Sequence, residues 1–196
     1  HGGLLMGRRI LALLLAALFL VAGCSSAPSE KSLVVYYSLD DGVEEIAEKT
    51  AKELDADLFE IETDRDFAEL LNHEPLTVEE IGELRSDDFK LKQTVPDNWG
   101  AYSVIYFGFP IWYGEPAQPS QLFLMENNIK DKTWFPFTIA SQKEADKAEE
   151  ILDSFGIRKG WQQAKGFSQD PGDADISAWI TETRTTLEDL DRRQES

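Results

Sequence analysis

A continuous apolar run, Leu33-Val34-Val35-Tyr36-Tyr37, is followed within a few residues by a segment of helical period, and this pairing restricts the fold most strongly. A strand apolar at every position must be covered on both faces, as in the middle of a parallel sheet. From Gly42 to Leu54, Val43, Ile46, Ala47, Thr50, Ala51 and Leu54 fall on one helical face, while Glu44, Glu45, Glu48, Lys49, Lys52 and Glu53 form the solvated one. The alternation then repeats. Asp57 to Glu62 reads as a more exposed strand, and Ser103 to Gly108 as a buried one. Between them lies a polar, irregular stretch with short helical windows at Phe67–Leu71 and Val78–Leu84. Pro116 to Asn127 reads as a helix whose two prolines are tolerable only near its first turn. Thr133 to Thr138 is a fourth strand, Lys143 to Phe155 a helix ended by Gly156, Trp161 to Phe167 a fifth strand, and Asp173 to Leu190 the last helix. Strand–helix alternation implies right-handed crossovers and an α/β fold, with helices on both faces of a parallel sheet. Five strands suit the doubly wound order 2-1-3-4-5.

The first 23 residues do not read as part of this domain. Met6, the pair Arg8 and Arg9, and the apolar run Ile10 to Leu20 follow the order of a secretory signal peptide, with residues before Met6 read as an over-long start. The run is shorter than the ~20 apolar residues that span a bilayer. It ends in Leu20-Val21-Ala22-Gly23-Cys24, at the only cysteine of the chain. This resembles a bacterial lipobox, which implies cleavage before Cys24 and lipid attachment to it. Residues 24–31 then carry the lipid and a short flexible tether, and 32–196 form one domain. The expected location is a bacterial membrane, with the domain outside the cytoplasm.

Charge narrows the partners. The segment before Cys24 holds two arginines and no acid, so the mature chain carries 17 − 37 = −20. Such a chain repels nucleic acid and anionic lipid surfaces, so membrane attachment must be covalent, through Cys24. An acidic surface suits a basic partner protein. A single cysteine forms no disulfide within one chain, and the fold rests on its core.

At the strand ends the sequence resembles the flavodoxin family. Leu33 to Ile61 is similar to the family's opening strand, helix and strand. Tyr102 to Gly114, ending Gly108-Phe109-Pro110-Ile111-Trp112-Tyr113-Gly114, is similar to a third-strand segment that often reads G-x-P-I-W-W-G. Asp131-Lys132-Thr133 before an aromatic strand matches the next element. The likeness covers roughly Ser32 to Ile180. It implies a flavodoxin-like doubly wound sheet with FMN at the carboxyl ends of strands 1, 3 and 4. Carried onto this chain, it implies cofactor contacts from Ser38, Gly42, Pro110, Ile111, Trp112, Tyr113, Gly114, Thr138 and Ser141.

Those loops also depart from the family. A phosphate site needs N–H groups, hydroxyls and the positive end of a helix. Where the family reads S-x-T-G-N-T, this chain reads Ser38-Leu39-Asp40-Asp41-Gly42-Val43. Only Ser38 keeps its hydroxyl, and Asp40 and Asp41 bring carboxylates to the dianion's place. They are read as caps of the helix that begins at Gly42. Trp112 either stacks on a flavin or packs as a rim residue. After the fourth strand, Thr138-Ile139-Ala140-Ser141-Gln142 lacks the family's glycine-rich turn. FMN, a flavin without phosphate, or no cofactor all remain open. His73 beside Glu74 reads as a surface residue, since no nucleophile-elbow motif accompanies it. Asp40, Asp41 and Glu44 lack EF-hand spacing and read as an acidic rim. Three functions follow: a tethered FMN electron carrier, a cofactor-free binding module, or a flavin-dependent reductase of small substrates.

Overall fold

The computed structural model describes residues 31–39, 42–72, 75–155 and 160–195. The expectations for residues 1–30, Asp40, Asp41, His73 and Gly156 lie outside these. In chain order, β1 (Lys31–Tyr36), α1 (Val43–Leu54) and β2 (Asp57–Glu60) open the domain. The irregular stretch holds α2 (Ala68–Leu71) and α3 (Val78–Leu84). Then follow β3 (Tyr102–Gly108), the two-residue strands β4 (Ile111–Trp112) and β5 (Glu115–Pro116), and α4 (Gln118–Glu126). The chain continues through β6 (Thr133–Ile139), α5 (Gln142–Asp153), β7 (Lys165–Phe167) and α6 (Asp173–Gln194).

Five strands form one parallel sheet in the order β2-β1-β3-β6-β7, the doubly wound order expected. Alternate residues along the central strands serve two cores. Leu33, Val35, Ile105, Phe107 and Trp134 face Phe123 and Leu124 of α4 and Ala148 and Leu152 of α5. Val34, Tyr36, Val104, Tyr106, Phe135 and Phe137 face Ile46 and Ala47 of α1 and Ile176, Trp179 and Ile180 of α6. That two-sided burial is why the central strands are apolar at every position. Among the described residues no helix is long and apolar enough to cross a membrane.

Three elements differ from the sequence expectation. The fifth strand is only Lys165–Phe167, because the register against β6 shifts by one residue between the Trp134–Trp161 bridge and the Phe137–Lys165 pair, and Pro136 between them has no N–H to donate. Trp161 keeps a single bridge to Trp134 and stacks on its ring at 5.7 Å. Pro116 lies in β5, so α4 begins at Gln118 with Pro119 in its first turn. The last helix runs on to Gln194.

Candidate functional site

The loops after β1, β3 and β6 meet at the carboxyl edge of the sheet, where the strand order reverses. After β3, β4 and β5 pair antiparallel, Trp112 opposite Glu115, leaving Tyr113 and Gly114 as a two-residue turn. Their φ values are 50° and 83°. Positive φ at both positions marks the hairpin turn that suits strand twist. Glycine adopts this at no cost, whereas a tyrosine held there is strained. The turn sends neighbouring aromatics to different places. Trp112 packs edge-on against Tyr37 at 5.6 Å and leans on Phe67 at 5.3 Å. Tyr113 is 39% exposed and lines a cleft of about 790 Å³. Trp112 is therefore a packed rim residue, and Tyr113 is the more exposed aromatic of the pair, at the edge of the cleft.

Across the cleft stand Ile139, Ala140, Ser141 and Gln142, with Gly166 to Gln169 beyond them. This wall is fastened from within. The Ala140 N–H donates to Phe167 O at 3.0 Å. Gln142 Nε2 donates to Ala164 O at 2.6 Å, and its Oε1 accepts from the Gly166 N–H at 3.0 Å. A Cβ on Gly166 would lie 2.7 Å from Ala140 O, so glycine permits this close approach. Ser141 caps α5: its Oγ accepts from the Glu144 N–H at 3.3 Å and donates to Glu144 Oε2 at 2.7 Å. The Ser141 N–H also donates to that carboxylate, at 3.1 Å. These bonds, helped by Lys147 and Lys143, hold the Glu144 carboxyl below its ordinary range. The carboxylate occupies the helix terminus that an anion would use.

The third side is the β1–α1 junction. Gly42 is the N-cap of α1 at φ 84°, and helical residues begin at Val43. The cap itself has no side chain. Ile139 reaches over it, its Cδ1 only 2.7 Å from where a Cβ on Gly42 would stand. The first turn of α1 carries Glu44 and Glu45. Tyr36 Oη donates to Glu44 Oε1 at 3.5 Å. Burial, then the charges of Glu60, Glu44 and Glu48, push the Tyr36 phenol well above its ordinary range.

Of the residues expected to bind a cofactor, Ile111, Tyr113, Gly114 and Ser141 line the cleft. Ser38 is half-buried, and Gly42 lies beneath Ile139. Pro110 is buried behind the hairpin. Thr138 is fully buried in β6, outside the cleft lining, with its Oγ1 lacking a hydrogen-bond partner. Lys147, Gly166, Ser168 and Gln169 were not anticipated from the sequence; they belong to α5 and the end of β7. The signature Ser141-x-x-Glu144 is the readable signal for the closed helix start. Among the described residues no three His, Cys, Asp or Glu side chains are grouped to hold a metal.

FMN combines a flat ring with a phosphate of about −2 charge, and these residues fit only the first. The cleft has the volume of a small-molecule site and an exposed aromatic wall. At the start of α1 the described residues present the Ile139 methyl and the Glu44 and Glu45 carboxylates, which do not suit a phosphate dianion.

A profile of the flavodoxin family matches residues 31–183. Two provisionally named flavoproteins, from Bacteroides eggerthii DSM 20697 and Bacteroides uniformis ATCC 8492, superpose with TM-scores of 0.64 and 0.67 at 22% and 21% identity. Each alignment covers 77% of this chain, and 96% and 97% of theirs respectively. A flavoprotein from Lactobacillus acidophilus NCFM, solved in complex with FMN, gives 0.52 at 20% identity, over 76% of this chain and 98% of that one. These likenesses concern the fold. A search of curated proteins found no match. With the profile spanning most of the chain and the same strand order beneath it, the chain belongs to the flavodoxin family.

Proposed function

We propose that this is a lipid-anchored flavodoxin-family protein, held outside the cytoplasm through Cys24, that binds a flavin ring between Tyr113 and the Ala140–Gln142 wall. The observation that carries the reading is Tyr113. A tyrosine kept at positive φ on a hairpin tip, partly exposed and lining a cleft at the switch point of the sheet, is suited to stack on a planar ligand. Family membership supports a flavin as that ligand and electron transfer as its use. The net charge of the mature chain supports a basic partner protein.

A second reading, a cofactor-free binding module, is favoured by one observation. The Ala140 and Ser141 N–H groups are already satisfied by Phe167 and Glu144. The test is to express the full chain, extract it from membranes in detergent, and look for flavin absorbance before and after adding riboflavin or FMN. Retention or uptake of either supports the first reading. Failure to take up either leaves the second.

A further inference from the structure

We propose that the cleft discriminates against phosphate and takes riboflavin-type ligands, a flat ring with an uncharged tail, in preference to FMN; this rests on the flavin-ring reading above. Ile139 joins the two halves of the argument, because it lines the ring cleft and also covers the start of α1. A ligand tail running from the cleft toward the start of α1 therefore passes Ile139.

Beyond that side chain the surroundings are acidic. Glu44 lies within 3.5 Å of the Tyr36 hydroxyl. Glu60 is held above the ordinary carboxyl range by burial and by the charges of Glu62 and Glu44. Burial is the larger cause for both Tyr36 and Glu60, and the neighbouring carboxylates add to it on β1 and β2 alike. Two lysines of the adjoining elements are engaged in ion pairs, while Lys147 lines the cleft from α5, where it and Lys143 act on the Glu144 carboxylate. Lys49 pairs with Glu45 and Asp173, each at 2.8 Å, and Lys92 with Glu62 at 3.1 Å. The other helix terminus at the cleft, that of α5, is closed by the Ser141–Glu144 box. A ribityl tail without phosphate carries only hydroxyls and meets no charge repulsion.

The experiment is a pair of fluorescence-quenching titrations, riboflavin and FMN, on the detergent-extracted full chain at low and high salt. Even one solvent-screened pair of like charges weakens binding about fivefold, so riboflavin should bind at least about fivefold tighter than FMN at low salt. The gap should narrow at high salt. In the double variant Glu44→Gln and Glu60→Gln, FMN should gain affinity while riboflavin is unchanged. Equal affinities at low salt, or tighter binding of FMN, would overturn the inference and leave the flavin-ring reading standing. Binding of neither flavin would overturn both.

Discussion

Tyr113 and Trp112 are adjacent and both aromatic, yet one faces a cleft and the other is wedged between Tyr37 and Phe67. The difference comes from one backbone device, the positive φ at Tyr113 and Gly114. The motif Pro110 to Gly114 was legible as a loop at the sheet's carboxyl edge, where Ile111, Tyr113 and Gly114 line the cleft. Which ring faces outward was not, because that depends on hairpin geometry and on where Phe67 arrives from the irregular stretch. Ser141 shows the same limit from the other side. Its hydroxyl taken alone reads as a ligand donor or as a cap; the Ser141-x-x-Glu144 spacing points to the cap, and the bonds to Glu144 bear it out. Substituting Ser141→Ala should lower unfolding stability by about 1 kcal/mol, the ordinary cost of an N-cap, as read in a denaturant midpoint. An unchanged midpoint would mean that the cap does not hold α5.

At the level of elements, the buried strands and amphipathic helices were legible because their periods differ and each period has one packing solution. Leu33 to Tyr37 and Val104 to Phe107 are apolar throughout because two helical layers cover them. The short fifth strand was not legible. Pro136 of β6 offers no N–H and the register shifts by one residue there, and the Ala164 N–H beside that break donates to Glu149 of α5. Partial burial pushes the Glu149 carboxyl above its ordinary range, with Asp146 and Asp153 adding to the effect and the Ala164 N–H opposing it. An acid whose pKa is raised by folding contributes stability below its unfolded pKa and loses it as pH rises through the folded value. Near neutral pH its charge is therefore a cost. Glu149→Gln, which keeps an acceptor for Ala164, should raise Tm at about pH 7 and lose that advantage toward about pH 4. A variant that melts earlier at neutral pH would show that the charge-assisted bond to Ala164 outweighs desolvation.

For the whole molecule, the point where the chain enters the sheet matters. β1 begins at Lys31, at the end of the parallel sheet opposite the cleft. From Cys24 to Lys31 is seven residues, a reach of at most about 25 Å. A lipid on Cys24 would hold the domain close to the membrane with the cleft turned away from it. Cys24→Ala should move the protein from the membrane fraction to the soluble fraction; persistence on the membrane would point to another anchor. On the anchored wild type, a thiol introduced by Gln169→Cys at the cleft should react with a soluble reagent as fast as in detergent. A marked slowing on the membrane would contradict the orientation. The phosphate end could be suspected from the sequence, through Asp40 and Asp41, but Ile139 over Gly42 is a contact between residues almost a hundred positions apart.

The most direct measurement is riboflavin binding by the full chain, followed by quenching, in the wild type and in Tyr113→Ala and Tyr113→Phe. The account predicts saturable quenching in the wild type, retained with phenylalanine. With alanine it should weaken about two- to tenfold, the worth of one aromatic stack. No saturable quenching, or equal binding in all three proteins, would contradict a flavin ring held against Tyr113.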